Sequence, residues 1–212
     1  LSQDPALLAT FRAGKDVHSA TASQLFGVVQ DKMTPDMRRL AKTVNFGVIY
    51  GMSDYGLEQA TELSRAQAHQ FITDYFARFP GVKQYLDETK EMARKKGYVQ
   101  TLLGRRRYIP EINSPNRQVR EGAERMAINM PVQGTSADII KIAMVRLGRD
   151  MNAKQVTSKM LLQVHDELIF EVPEEELDMM WRTVADIMST AIILSVPVRV
   201  DMKKGRNWGE MD

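Results

Sequence analysis

Helix punctuation is the feature that most constrains how this chain can fold. Asp4-Pro5 sets an N-cap before a first-turn proline, Gly14 closes that segment, and Asp16 to Gly27 repeats the pattern. Thr34-Pro35 opens a longer helix, predicted to run to about Tyr50 and to end at Gly51. Ser64 and Gln67 make a capping box. Beyond it Ala68, Phe71, Ile72, Tyr75, Phe76 and Phe79 recur at helical spacing as a core stripe, which Pro80-Gly81 ends. A further helix is predicted from about 82 to Gly97.

The second half changes rhythm. Tyr98 to Ile109 reads as a short hairpin turning near Gly104, and Glu111 to Asn116 as a loop. Helix is expected again from about 117, broken at Pro131 and resumed from Thr135 to about 150. Met160–Val164 and Leu168–Val172 read as strands either side of His165-Asp166-Glu167. Pro173 should open an acidic-faced helix to about 194, Val198–Met202 should form a last strand, and Trp208 should pin the tail. The fold class is therefore α+β, mostly helical with one small sheet.

Composition removes several kinds of chemistry. With no Cys, a disulfide framework, a zinc ribbon, an iron–sulfur site and a cysteine nucleophile are excluded. Three His make a multi-histidine metal site unexpected. A hydrophobic share of 43% with 26% charged residues suits a globular chain rather than a disordered one. No apolar run approaches bilayer-spanning length and no signal segment opens the chain, so the expected compartment is cytoplasmic, with no membrane partner. The start at Leu1, directly in helix-like sequence, reads as an excerpt from a longer protein.

Net charge is only +2, but the charges are segregated. Lys90, Arg94, Lys95, Lys96, Arg105, Arg106, Arg107, Arg117, Arg120 and Arg125 lie within 36 residues, opposed by four Glu. From 166 to 190 the sign reverses, eight carboxylates facing Arg182 alone. The first stretch suits phosphate binding by counterion release. The second suits a divalent metal or simply a solvated helix.

A helical wheel of Thr34–Tyr50, at about 100° per residue, puts Arg38, Lys42, Phe46 and Tyr50 along one flank. Met37, Ala41, Val44 and Val48 fall on nearly the opposite face. One face is an apolar packing seam. The other offers an Arg for bidentate phosphate contact, a Lys able to hold or donate a proton, and two rings on which sugar and base can stack. The plain alternative is an amphipathic helix with a solvated basic edge.

The wording of Arg38-Arg39-Leu40-Ala41-Lys42-Thr43-Val44-Asn45-Phe46-Gly47-Val48-Ile49-Tyr50-Gly51 closely resembles the nucleotide-binding helix in the fingers of family A DNA polymerases. The resemblance implies that Arg38 and Lys42 bind the triphosphate, with Lys42 as candidate general acid to the leaving pyrophosphate. Phe46 would stack on the incoming nucleotide and disfavour dideoxynucleotides, and Tyr50 would move as the fingers close. Leu161-Leu162-Gln163-Val164-His165-Asp166-Glu167 resembles the same family's palm hairpin. It implies that Asp166 is a catalytic metal ligand, Glu167 a second catalytic carboxylate and His165 a group near the primer end. Arg125 through Gly134 resembles the primer–template segment, so Arg125, Asn129 and Gln133 are its expected DNA-binding residues. Donors of that kind can meet the minor-groove acceptor every base pair offers, without reading sequence. Gly14-Lys15-Asp16-Val17-His18 also matches, implying that His18 touches the triphosphate. Gly104-Arg105-Arg106-Arg107-Tyr108 matches too, either as a phosphate contact or as a brace for acidic neighbours.

The resemblance covers essentially the whole chain, as fingers over 1–97 and palm over 98–212. It implies template-directed DNA synthesis from deoxynucleoside triphosphates on primer-template DNA, with two Mg²⁺ ions in the complete enzyme. The family's other metal-binding aspartate, on a strand expected just upstream of Leu1, has no counterpart here. The isolated chain is therefore expected to extend primers negligibly, and either to self-associate through an exposed palm edge or to cover that edge with residues from another part of the chain. A non-catalytic nucleic-acid-binding module, and a relative of single-subunit RNA polymerases or reverse transcriptases, are the competing readings.

Overall fold

The computed structural model describes residues 1–29 and 32–211, apart from the side chains of Gln24 and Leu25. The chain forms two compact units, Leu1–Gly134 and Thr135–Asp212. Their boundary falls inside one long helix.

The first unit holds helices α1 (Pro5–Arg12), α2 (Val17–Phe26), α3 (Pro35–Ile49), α4 (Asp54–Ala60), α5 (Arg65–Arg78) and α6 (Pro80–Lys96). A hairpin of β1 (Tyr98–Gln100) and β2 (Arg106–Tyr108) follows, then the opening of α7 (Arg117–Lys154). The helix starts are the ones their caps dictate. Asp4 accepts from the N–H groups of Ala6 and Leu7, Asp16 from that of His18, and Thr34 from that of Met37. The Ser64–Gln67 box is closed in both directions. Asp4 also accepts from the Gly81 N–H at 2.9 Å, tying the first helix to the α5–α6 junction, and a Cβ on Gly81 would press on Asp4 at 3.0 Å.

Two buried clusters fill this unit. Val44, Val48, Leu57, Phe71, Tyr75, Phe79, Val82, Leu86 and Ile128 join α3 to α7, while Val99, Ile109, Ile112, Ala123 and Ala127 seat the hairpin. Each fully buried aliphatic side chain contributes about 1.5–3 kcal/mol over leaving it in water. The wheel's apolar face is thus the packing face: Ala41, Val44 and Val48 are buried and Phe46 is not.

The second unit holds the rest of α7, the antiparallel hairpin β3 (Lys159–Val164) and β4 (Glu167–Glu171), and α8 (Leu177–Ser189). Leu147, Met151, Met180 and Val184 form its core, with Met160, Leu168 and Phe170 packed against them from the hairpin. A register shift between Met160 and Leu162 leaves Leu161 unpaired, and Leu161 and Leu162 both stay half exposed.

Several expectations need correction. Helix α7 does not break at Pro131 but carries it inside one continuous run. The proline forfeits one N–H, yet Ala127, Ile128 and Met130 just before it are buried, and that packing outweighs the lost bond. Residues 174–176 form a 3₁₀ turn instead of α-helix, and α8 ends at Ser189, not near 194. There the Ser189 and Thr190 hydroxyls take the Asp186 carbonyl. Val198–Met202 is not a strand, although Met202 packs on the unit's core. Trp208 is 54% exposed, on a 3₁₀ turn closed by Asn207 and Glu210. A 3₁₀ turn, Pro110–Asn113, runs into the stretch Glu111 to Asn116 expected as loop, and α4, capped by Ser53, was not anticipated.

Candidate functional site

On α3, Arg38, Lys42 and Phe46 stand on the exposed flank, with Tyr50 as the C-cap residue just beyond. The rings form a row. His18 lies 5.6 Å from Phe46, and Phe46 stacks on Tyr50 at 6.0 Å with 21° between planes. The Lys42 ammonium sits 5.9 Å from the Phe46 ring. The α3 residues come together because the helical period brings every fourth one to the same flank; His18 is brought in by α2, which packs against α3.

Asp16 organises the cationic end. Its Oδ2 accepts from Arg38 Nε at 2.6 Å and from Ser19 at 2.8 Å, while Oδ1 caps α2. Burial pushes its carboxyl up, but these hydrogen bonds and the Arg38 charge outweigh that and hold its pKa at about 2. That contact uses only the Nε–H of Arg38, and the terminal amino groups carry four further N–H donors. Burial lowers the His18 pKa; Asp16 pulls it up, and the Arg38 and Lys42 charges lower it further. Its Nδ1 is 3.0 Å from Nδ2 of Asn45, whose Oδ1 is 3.0 Å from the Thr21 hydroxyl. Asn45 is 2% exposed. Its contact with His18 was missed by sequence reasoning, although a buried-period Asn inside a helix is a poor helix former and so a signal.

The end of α3 is fixed by a Schellman motif. The Met52 N–H reaches the Gly47 carbonyl at 2.8 Å, and the Gly51 N–H that of Val48 at 3.1 Å. Gly51 adopts φ +73°, where a Cβ would also meet Ile128 Cδ1 at 2.6 Å. Gly47 leaves room for the Met52 sulfur, which a Cβ would approach to 3.0 Å. This seats Gly51 against Ile128 of α7.

Because α7 is unbroken, Arg125, Asn129 and Gln133 follow one helix face, and Gln133 lies within the helix, not past its end. Arg125 and Gln133 are exposed; Asn129 is half-buried, its Oδ1 without a hydrogen-bond partner. The basic stretch around them is partly spent locally. Arg94 bonds Glu124 at 2.7 Å, Lys95 approaches Glu91 at 3.4 Å, and Arg117 bonds Glu121 at 2.7 Å. Arg106 lies over the Tyr98 ring at 4.7 Å, and Arg107 contacts the Met126 sulfur.

In the second unit His165 and Asp166 make the two-residue turn of the β3–β4 hairpin, with Val164 paired to Glu167. His165, Asp166 and Glu167 are all exposed. His165 has φ +53°, a region that a side chain makes costly and that hairpins of this length usually give to glycine. Among the described residues no three His, Asp or Glu side chains group to hold a metal ion. Asp166 and Glu167 therefore form no closed cage. They fit a hard cation that completes its shell with water and substrate phosphate oxygens, as Mg²⁺ does. Within the acidic stretch Glu176 is structural: its carboxylate takes the N–H and hydroxyl groups of Thr157 and Ser158, which brings its pKa down to about 2.

A helical unit with a cation-and-ring flank, and a second unit built on a carboxylate hairpin, define an α+β protein of the fingers-and-palm class. The chain belongs to DNA polymerase family A, whose family model matches residues 1–210. It is 49% identical over 208 residues to DNA polymerase I of Bacillus caldotenax, covering 98% of this chain and 24% of that protein. It is 49% identical to DNA polymerase I of Mycobacterium tuberculosis (strain H37Rv), over 98% of this chain and 23% of that protein. The fold superposes with a TM-score of 0.94 on the POL domain of Pol1 from M. smegmatis in complex with DNA primer-template and dNTP, at 47% identity, covering 98% of this chain and 37% of that one. The chain thus spans about a quarter of the length of the curated relatives. Among the described residues no helix is long and apolar enough to cross a membrane.

Proposed function

We propose that this chain carries the nucleotide-binding flank and the primer-end turn of a template-directed DNA polymerase, residues 1–97 acting as fingers and 98–212 as palm. In the reaction a primer 3′-hydroxyl attacks the α-phosphate of a deoxynucleoside triphosphate, and pyrophosphate leaves. Arg38, held through Nε by Asp16, turns its remaining donors to the triphosphate. Lys42 binds the β- and γ-phosphates and passes a proton to the departing pyrophosphate. The Phe46 ring, with Tyr50 stacked behind it, supports the sugar and base. His18 completes the phosphate contacts. Arg125, Asn129 and Gln133 follow the duplex along α7, and His165 meets the primer end. Asp166 and Glu167 would hold Mg²⁺, which when bound neutralises charge developing on the reacting phosphate. The working compartment is the cytoplasm, where these substrates are. Self-association through the half-exposed Leu161 and Leu162 of β3 belongs to the same reading.

The observation that carries this reading is the row of two cations and three rings within reach of one another on α2 and α3. Titrating a fluorescent deoxynucleoside triphosphate into the chain tests it. Lys42→Ala should weaken binding about tenfold to a hundredfold, the loss of a charged hydrogen bond. Unchanged triphosphate binding beside salt-sensitive DNA binding would favour a nucleic-acid-binding module instead.

A further inference from the structure

We infer that Asn45 is a positioning residue that decides which nitrogen of His18 carries the proton, and so makes His18 a neutral hydrogen-bond donor to the triphosphate. This rests on the nucleotide-binding reading of the flank. Asn45 is 2% exposed in α3, and its amide bridges two residues of α2. Its Oδ1 faces the Thr21 hydroxyl at 3.0 Å, a hydroxyl shared with the Val17 carbonyl at 2.9 Å, and its Nδ2 faces His18 Nδ1 at 3.0 Å. An amide nitrogen only donates, so Nδ1 presents its lone pair and the ring proton sits on Nε2.

The surroundings agree. Arg38 and Lys42, both on α3, place positive charge beside the ring, while Asp16 on α2 is already engaged by Arg38 and Ser19. Phe46 packs against the ring at 5.6 Å, so the imidazole is held from one side by a ring and at one edge by an amide. A neutral imidazole locked this way offers Nε2–H to a phosphate oxygen without adding a third charge to the cationic end. A buried Asn in a helix interior costs stability unless it is bonded, and here each end of its amide has a partner.

The test is the tautomer of His18, read from long-range ¹H–¹⁵N correlations of the imidazole in the full chain at pH 8. The wild type should show a proton on Nε2 and a bare Nδ1. Asn45→Asp replaces the donor by an acceptor, and should move the proton to Nδ1 and weaken triphosphate binding about tenfold, one hydrogen bond to a charged group. Thr21→Val, which frees the amide to turn, should give a mixture of tautomers. A wild-type ring protonated at Nδ1 overturns the inference even if neither variant folds. An unchanged tautomer in both folded variants overturns it as well. Should the tautomers shift as expected while Lys42→Ala leaves triphosphate binding intact, the nucleotide-binding reading fails and the positioning of His18 by Asn45 stands.

Discussion

Asp16 joins three jobs in one side chain: it caps α2, holds Arg38 and bonds Ser19. Its folded pKa, about 2, lies below the ordinary 3.8, so its contribution to stability is fully present above about pH 4 and is lost as pH falls through 2. A carboxyl ¹³C titration should place its midpoint near 2, and Arg38→Gln should return that midpoint toward 3.8. An Asp16 midpoint already at 3.8 in the wild type would mean that Asp16 does not hold Arg38 in solution. At this scale the sequence was legible where geometry repeats. Arg38, Lys42, Phe46 and Tyr50 could be lined up from the period of 3.6 alone. The contacts of Asp16 and Asn45 could not, because they depend on how α2 lies against α3, and no spacing along the chain encodes that. Gly47 and Gly51 were visible as glycines, but the Met52 sulfur and the Ile128 methyl that require them were not.

Helices announced themselves through their caps, and Asp4, Thr34 and Ser64 each start one as their side chains dictate. Ends were harder to read, because they answer to tertiary packing and to side chains that compete for carbonyls. The run through Pro131 and the early stop at Ser189 are two such cases. The long α7 depends on a close approach further along, where Gly134 faces Thr101 at the end of β1. A Cβ there would come 2.6 Å from the Thr101 Cγ2 methyl, on a side chain that is itself buried. Gly134→Ala should therefore destabilise the first unit by about 1–3 kcal/mol, despite alanine's better helix propensity. Chemical denaturation followed by the exchange of amides in the β1–β2 hairpin checks this; a neutral or stabilising outcome would mean the contact is loose.

Taken as a whole the chain is nearly neutral, at +2, so any attraction to DNA has to come from local arrangement. Ten cations between 90 and 125 would give a salt slope near −9 if all met phosphates. Arg94, Lys95 and Arg117 are engaged by Glu residues, which leaves at most seven and a slope no steeper than about −6. Anisotropy of a labelled primer–template across a salt series measures it, and a slope near zero would deny the stretch any phosphate contact. Family membership was legible from three short motifs, because each sets several chemistry-bearing residue types in a narrow run. The division into units at Gly134 was not, because no break in composition marks the middle of a continuous helix. The His165 turn carries a practical lesson for anyone improving this molecule. Glycine at that position would relieve strain on the order of 1 kcal/mol. A directed-evolution campaign scored on heat tolerance alone is thus drawn to a swap that discards the imidazole proposed to meet the primer terminus.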